Sequence, residues 1–474
     1  MIVVIEENKL SQEMRTGIQS ICGSETQFCD PNEVVKYTSG EIVFADIYFD
    51  AISYCLMRGM DIRFIYRDKI LSKSDIGYIG ELQEVLLADR EYGGLKKLNI
   101  IKIFLEVSSK CTVMSSFPAH IQLEHTTYCN ARCIMCDHYV SHNRGSKHLE
   151  LATALKLKPI LPYVSLVVMH GNGEPFLNPD IMDILELYKE YGVRIATNTN
   201  LSHINSDICY ELDQMCDSLQ ISCDGCDKET YEGIRQGLSF ETFCSNLERV
   251  SALSGIKKTS LEVVLMQQNI RKAADFVRFA SSYGIKNIRF HDLGVNDVIG
   301  NDKYSLRSCP DVANKYISMA REEGDRLGVS VESFGYDEQG AVSDESALYS
   351  VFPDCQISDE MHRTHDWYTN VIAFNEMNND DLLCFKNNYS GICEYPFAKS
   401  YIDLNGNVSV CCPASRKVVG RVSSADDFAA LWNSETMTRI REEFYSGMMP
   451  SFCKNCFMAS EHSLSWLNHR MEGK

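Results

Sequence analysis

The chain has 474 residues, 45% of them hydrophobic and 23% charged, with 20 cysteines and a formal net charge of −19 at pH 7. That balance describes a soluble globular protein of two or three domains. It argues against a nucleic-acid backbone as partner, and no run approaches the ~18 uncharged apolar residues of a membrane span.

Met1-Ile2-Val3-Val4-Ile5-Glu6-Glu7 is a short apolar run ended by acids, unlike a signal peptide. The cysteines are therefore expected in a reducing cytoplasm, where clustered thiols serve metal or redox chemistry more often than disulfides. Residues 1–115 carry β-branched and aromatic runs at 42–47 and 62–66, expected as strands, and amphipathic stretches at 51–60 and 80–87, expected as helices. This predicts a small amino-terminal α/β domain of unknown role. It has no glycine-rich phosphate loop and no D-x-H-x-x-G pattern.

From residue 119 the pattern changes to alternating apolar strands and amphipathic helices, the mark of βα units and a parallel sheet. Strands are expected at 121–124, 165–169, 193–197, 218–222, 261–265 and 287–290. Helices are expected at 181–188, 207–215, 242–252 and 272–283. The first strand leads into Cys129-Asn130-Ala131-Arg132-Cys133-Ile134-Met135-Cys136, three thiols spaced C-x3-C-x2-C. Thiolates hold iron–sulfur clusters, and a [4Fe–4S] cubane normally takes four. Three close thiols leave one iron open to another ligand. On spacing alone a zinc knot or three buried thiols also fit.

Further polar groups fall at the expected strand ends. His170-Gly171-Asn172-Gly173-Glu174-Pro175 ends the second strand, where glycines permit close backbone approach and a carboxylate suits an ammonium. A plain strand-to-helix turn is the alternative. Thr197-Asn198-Thr199-Asn200 ends the third strand and offers either ribose contacts or a helix cap. Ser222-Cys223-Asp224-Gly225 ends the fourth, with Glu229-Thr230-Tyr231 and Arg235 beyond. Residues 287–292 are by default a core strand. Asp292 is a candidate general base or an exposed loop carboxylate. Cys223 is a candidate hydrogen-atom donor, although alternation opposite Ser222 favours a buried thiol.

In combination and order these motifs resemble the radical S-adenosylmethionine (radical SAM) superfamily. The resemblance implies a partial (β/α)6 TIM-like barrel over 119–335, with its active site at the carboxyl ends of the strands. It implies that Cys129, Cys133 and Cys136 hold a [4Fe–4S] cluster whose open iron chelates S-adenosylmethionine. Gly171, Asn172, Gly173 and Glu174 are implied to hold the cofactor's amino group, and Ser222, Asp224 and Arg235, with Asn198, its carboxylate and ribose. Asn172 stands where the family's motif has a glycine.

Beyond a helix expected at 313–327 and a strand at 329–333, a polar linker spans 336–390 and contains Cys355 and Cys384, while Cys309 precedes it. The block 391–474 opens with Cys393-Glu394-Tyr395-Pro396-Phe397. Residues 402–410 follow with an Asn-Gly turn between two apolar runs, a strong hairpin signal. Cys411 and Cys412 come next, then Cys453-Lys454-Asn455-Cys456. A C-x2-C pair with two distant thiols suits zinc or an iron–sulfur cluster. The block resembles the SPASM/Twitch extension of radical SAM enzymes, which implies one auxiliary [4Fe–4S] cluster on Cys393, Cys412, Cys453 and Cys456. Cys411 competes with Cys412, since neighbouring strand side chains face opposite ways. Residues 457–474 lack the further thiols of the seven-cysteine form.

The whole implies an enzyme that cleaves S-adenosylmethionine and abstracts hydrogen from a peptide, protein or sugar-type substrate, with the auxiliary cluster as electron acceptor or relay. An electron donor such as flavodoxin or ferredoxin is implied as partner. A cluster-binding scaffold without radical turnover is the alternative.

Overall fold

The computed structural model describes residues 2–5, 27–29, 41–44, 62–66, 69–71, 94–108, 110–136, 147–256, 258–295, 300–336, 393, 395–411, 418–422 and 427–446. The expected helices at 51–60 and 80–87 lie outside these.

The amino-terminal strands are β1 (Ile2–Ile5), β2 (Gln27–Cys29), β3 (Glu41–Phe44), β4 (Ile62–Tyr66) and β5 (Lys69–Leu71). They form one sheet in the order β2-β1-β3-β4-β5. The first four are mutually parallel and β5 is antiparallel to β4. The apolar opening run is thus a central strand.

A second sheet holds ten strands. In chain order its members and neighbours are β6 (His120–Leu123), β8 (Leu166–Val168), β9 (Arg194–Thr199), β10 (Cys216–Ser222), β12 (Lys258–Leu265), β13 (Asn287–Asp292), β14 (Ser330–Glu332), β15 (Lys399–Ile402), β16 (Asn407–Ser409) and β17 (Val418–Arg421). Two short strands, β7 (Arg132–Cys133) and β11 (Arg235–Gln236), pair separately. The sheet order is β14-β13-β12-β10-β9-β8-β6-β15-β16-β17. The six expected barrel strands are therefore consecutive, parallel neighbours, β6, β8, β9, β10, β12 and β13. This is the mixed α/β fold with a partial parallel barrel that the sequence implied.

Two strands run further than expected at their carboxyl ends. Pairing with β10 carries β9 on to Thr199, opposite Ile221. Pairing with β12 carries β13 to Asp292, opposite Leu265. Asn198 and Asp292 thus belong to strands rather than to the loops beyond.

Helices cover one face of this sheet. Helix Phe240–Ser251 buries Phe243, Leu247 and Val250, at the i, i+4, i+7 spacing that makes one apolar face, and starts where the Ser239 side chain accepts from Thr242 N at 3.3 Å. Helix Pro310–Leu327 begins at proline and stops at Gly328, whose left-handed φ of +66° favours glycine. Under these helices Leu219, Ile221, Leu261, Val263, Ile288 and Phe290 are buried, and Phe276 meets Phe290 edge-on. Alternation sends the intervening residues to the opposite face. There Gln220 lies beside Ser260, and Ser222, Glu262 and Arg289 form one row across β10, β12 and β13.

The carboxyl-terminal hairpin is continuous with this sheet. β15 pairs parallel to β6, with Lys399 opposite His120 and Ile402 opposite Leu123, and β16 returns antiparallel to β15. The turn uses Gly406 at φ +83°. The Asp403 carboxylate accepts from Asn405 N at 2.8 Å and Asn407 N at 2.9 Å. Arg441, on helix Glu435–Tyr445, is fully buried and donates to the carbonyls of Thr112 and Trp432, each at 2.9 Å, and Pro396 at 2.6 Å. Asn433 bonds the backbone of Met114 at both its N and its O, 2.8 and 2.7 Å. These bonds fasten the terminal helices to the segment that enters β6.

Candidate active site

The cysteine loop leaves β6 at the carboxyl end of the sheet. It is pinned where Cys133 pairs with Arg235 and Arg132 with Gln236 in the β7–β11 ladder. Ile134 N bonds Ile234 O at 3.0 Å, and Cys136 N bonds Cys133 O at 3.0 Å. Two side-chain donors approach the thiols: Asn200 Nδ2 at 3.9 Å from Cys129 Sγ and Arg235 Nη1 at 3.8 Å from Cys133 Sγ. Burial pushes the Cys129 thiol up to about 11 and that of Cys133 up to about 12. Both are neutral without a cation; metal binding deprotonates such thiols outright.

The donor set fits an iron–sulfur cluster. Three thiols share one loop, N–H donors face two of the sulfurs, and such outer hydrogen bonds tune cluster potential. Among the described residues no three of His, Cys, Asp and Glu converge on a single-ion position. A lone zinc ion needs that convergence, whereas the thiolates of a cubane bind separate irons.

Gly171 and Gly173 pack closely against neighbouring segments of the chain. A Cβ on Gly171 meets Glu124 Cγ at 2.6 Å, and one on Gly173 meets the carbonyl oxygens of Thr126 and Tyr128 at 2.4 and 2.5 Å. Their lack of a side chain lets this loop pack on the segment leading to Cys129. Asn172 N donates to Glu124 Oε1 at 3.1 Å, and Glu174 N to Tyr128 O at 2.8 Å.

The Glu174 carboxylate is buried, accepting from Thr199 Oγ1 and Asn200 N, both at 2.7 Å. Burial raises its pKa to about 7, against the opposing pull of these donors. A cation placed beside it restores the ionised form.

Of the Thr197–Asn200 stretch, Asn198 has a buried side-chain oxygen with no partner among the described residues. Asn200 makes the contacts that matter at the cysteines, bonding Asn130 Oδ1 at 3.2 Å as well as approaching Cys129. The helix cap is a different residue, Asn205, accepting from Ile208 N at 2.9 Å. Asn200 stood in the quoted sequence stretch, but β9 had to be extended by pairing before its position was evident.

Ser222 ends β10 on the polar face. Asp224 is fully buried and pairs with Arg235 Nη2 at 2.7 Å. Its other oxygen accepts from Val264 N at 2.7 Å. Burial raises the Asp224 pKa, and Arg235 opposes that. The guanidinium thus lies beneath the cysteine loop because β11 pairs with β7, and its buried Nε has no partner among the described residues. Gly225 is required by contact: a Cβ there meets Tyr231 N at 2.2 Å.

Cys223 is fully buried, its thiol 3.3 Å from the Gly225 carbonyl that it donates to, and burial pushes its pKa well up. Asp292 is held by Arg307 Nη2 and Nε at 2.9 and 3.2 Å and by the Tyr336 hydroxyl. It is a paired carboxylate rather than a free loop acid.

On the polar face a network absent from the sequence reading joins β12, β13 and β14. Glu262 accepts from Ser260 Oγ at 2.5 Å, lies 2.6 Å from His291 Nε2, and is 3.4 Å from Arg289 Nη1. Arg289 Nε donates to Glu332 at 2.7 Å. These donors hold the Glu262 carboxyl below its usual range against the effect of burial.

Of the carboxyl-terminal thiols, Cys393 and Cys411 are described and partly buried, while Cys412, Cys453 and Cys456 lie outside the described residues. Cys393 precedes β15, and Cys411 follows β16 two residues after Ser409, which is opposite Tyr401. Because β15 is parallel to β6, Cys411 lies toward the amino end of β6, and the 129–136 loop lies past its carboxyl end. Four residues of strand, ~13 Å, lie between those levels. Among the described residues no helix is long and apolar enough to cross a membrane.

Two family models match parts of this chain. Residues 123–280 match the radical SAM superfamily, and residues 393–457 match the SPASM iron-sulfur cluster-binding domain. The mycofactocin maturase MftC of Mycobacterium ulcerans (strain Agy99) is 28% identical over 171 residues, covering 35% of this chain and 45% of that protein. The tungsten-containing aldehyde ferredoxin oxidoreductase cofactor-modifying protein of Pyrococcus furiosus is 24% identical over 195 residues, covering 38% and 54%. The match therefore spans about half the length of these curated relatives. Among solved structures, Streptococcus suis SuiB bound to S-adenosylmethionine aligns with a TM-score of 0.49 at 16% identity, covering 78% of each chain.

Proposed function

Because this chain is a radical SAM superfamily protein with a carboxyl-terminal SPASM domain, we propose that it oxidises or otherwise modifies a precursor peptide by hydrogen abstraction. When bound, a [4Fe–4S] cluster with S-adenosylmethionine supplies a 5′-deoxyadenosyl radical, and a second cluster supplies an electron acceptor. The chain's own residues prepare the site. Cys129, Cys133 and Cys136 are the thiols available to the first cluster, with Asn200 and Arg235 donating toward two of them. Glu174, a buried carboxylate poised near neutrality, suits the cofactor's ammonium. Ser222 and Asn198 are polar groups at the carboxyl ends of neighbouring strands. The buried Asp224–Arg235 pair holds the guanidinium under the loop.

The observation that carries this reading is the convergence of Asn200 and Arg235 on the sulfurs of Cys129 and Cys133. Cys393, Cys453 and Cys456, with Cys412 or Cys411, are the candidate thiols of the auxiliary cluster. Such a cluster would accept the electron that the substrate radical loses. The likeness to a mycofactocin maturase favours a precursor peptide over a sugar alcohol. An electron donor such as flavodoxin or ferredoxin and a cytoplasmic setting complete the proposal.

The test is anaerobic incubation of reconstituted protein with S-adenosylmethionine, a reductant and a synthetic peptide from any small open reading frame beside the gene. 5′-Deoxyadenosine formation with a mass change in the peptide supports the reading. Tight S-adenosylmethionine binding without cleavage points instead to a cluster-binding scaffold.

A further inference from the structure

On the proposed reading, a substrate carbon radical that becomes a carbonyl or alkene must lose one electron and one proton. The electron has a named acceptor, the auxiliary iron–sulfur cluster. The proton needs a base, and Asp292 and Cys223 are poor ones, the first tied to Arg307 and Tyr336 and the second fully buried.

We propose that His291, oriented by Glu262, is the base that takes this proton, making His291 a catalytic residue and Glu262 a positioning residue. His291 lies next to the last residue of β13, opposite Val264, on the face away from the helices. Its side chain keeps 43% exposure, whereas that of Glu262 keeps 8%. Glu262 has no proton to donate, so the 2.6 Å contact requires His291 Nε2–H as donor. In the neutral ring the lone pair is then on Nδ1. A carboxylate fixing a histidine tautomer in this way is a general means of preparing an imidazole base.

The surroundings give this pair its place. Val264, the strand neighbour of His291, bonds Asp224, which pairs with Arg235, which donates toward Cys133. His291 is thus four contacts from Cys133 of the cysteine loop, at the end of the barrel where chemistry is expected. The charged groups around it are Glu262 on β12, Arg289 and Asp292 on β13, Glu332 on β14 and Asp224 after β10. Of these, Glu262 touches the ring, Arg289 bonds Glu262 and Glu332, and Asp292 points to the other face. In the step itself the substrate C–H or O–H bond gives its proton to Nδ1. An auxiliary cluster, when bound, would supply the acceptor for the carbon radical's unpaired electron, and the imidazolium is neutralised by Glu262.

The test has two arms. In cluster-free, full-length protein labelled with 15N-histidine, the two ring-nitrogen chemical shifts of His291, assigned by their loss in His291→Gln, read which nitrogen carries the proton. A protonated Nε2 with an unprotonated Nδ1 is expected; a protonated Nδ1 with an unprotonated Nε2 overturns the orientation. In reconstituted protein with S-adenosylmethionine, reductant and the peptide described above, His291→Gln is expected to keep 5′-deoxyadenosine formation within about threefold. Its oxidised product should fall about 100-fold or more, the contribution typical of a general base. Glu262→Gln is expected to lower product less and to change its pH profile, with Glu262→Asp restoring part of it. Unchanged product per 5′-deoxyadenosine in His291→Gln overturns the base. A wild type that forms no 5′-deoxyadenosine fails the functional reading instead, and the nitrogen-shift arm still decides the orientation.

Discussion

The two sides of the parallel sheet use polar residues in opposite ways. On the β6–β8–β9–β10 side, polar groups are almost fully buried and engage backbone or one another: Glu174 with Thr199 and Asn200, Asp224 with Val264 and Arg235. On the β12–β13–β14 side the network of Glu262, Arg289, His291 and Glu332 is half open, with side-chain exposures from 8% to 53%. The first side holds a rigid cradle whose parts are interdependent. The second offers groups that remain available to something arriving. A buried network loses much when one member is removed, and an open one loses little.

That contrast is tested most severely by Arg235→Met. It strands Asp224 as a buried, uncompensated acid and is expected to cost about 3–5 kcal/mol, read by chemical denaturation of cluster-free protein. A loss under 1 kcal/mol breaks the comparison on the cradle side. Gly225→Ala and Gly173→Ala come next. Each forces a Cβ to within 2.5 Å of backbone, and overpacking of this kind costs typically ~1–3 kcal/mol. Gly284→Ala is the contrast, with nothing within 4 Å but a φ of +72°.

Glu174→Gln runs the other way. The folded-state pKa near 7 is raised above the ordinary carboxylate value, so the folded protein binds the proton more tightly than the unfolded chain. Its stability therefore falls as pH rises from about 4.5 to 7 and stays lowered above. Replacing the carboxyl removes that penalty and is expected to stabilise the cofactor-free protein at pH 8 by about 1–2 kcal/mol, with no gain at pH 4. S-Adenosylmethionine affinity is expected to fall at the same time. The smallest effect belongs to the open side: Glu332→Gln, removing an exposed partner of Arg289, should change stability by under ~1 kcal/mol.

Much of the cradle side was legible because its chemistry is local in sequence. Cysteine spacing, the Gly171–Glu174 turn and the 222–225 corner each fall within a few residues of a strand end. The six barrel strands were evident from alternation, and the Asn405-Gly406 turn from its own residues. What escaped depends on pairing between distant segments. Nothing in residues 399–402 says that they lie beside 120–123, because a parallel partner leaves no local trace. Strand ends moved for the same reason, and with them the approach of Asn200 to Cys129. That Gly171 and Gly173 lie against Glu124 and Thr126 was hidden too, because close backbone approach looks the same in sequence whether the neighbour is a ligand or the chain itself. Glu262 and His291 were hidden inside strands that look like core. Their meaning comes only from the register that sets Val264 beside His291.

The central claim is that two thiol sets, Cys129, Cys133 and Cys136 and then Cys393, Cys412, Cys453 and Cys456, each hold a cubane. Iron and acid-labile sulfide in anaerobically reconstituted protein test it directly, for wild type and for the Cys129/Cys133/Cys136→Ala triple variant. Two cubanes of four irons predict roughly 8 irons per chain, falling to about 4 in the variant. A wild type with only about 4, and a variant with none, contradicts the second cluster, returns Cys393, Cys412, Cys453 and Cys456 to zinc, and removes the electron acceptor.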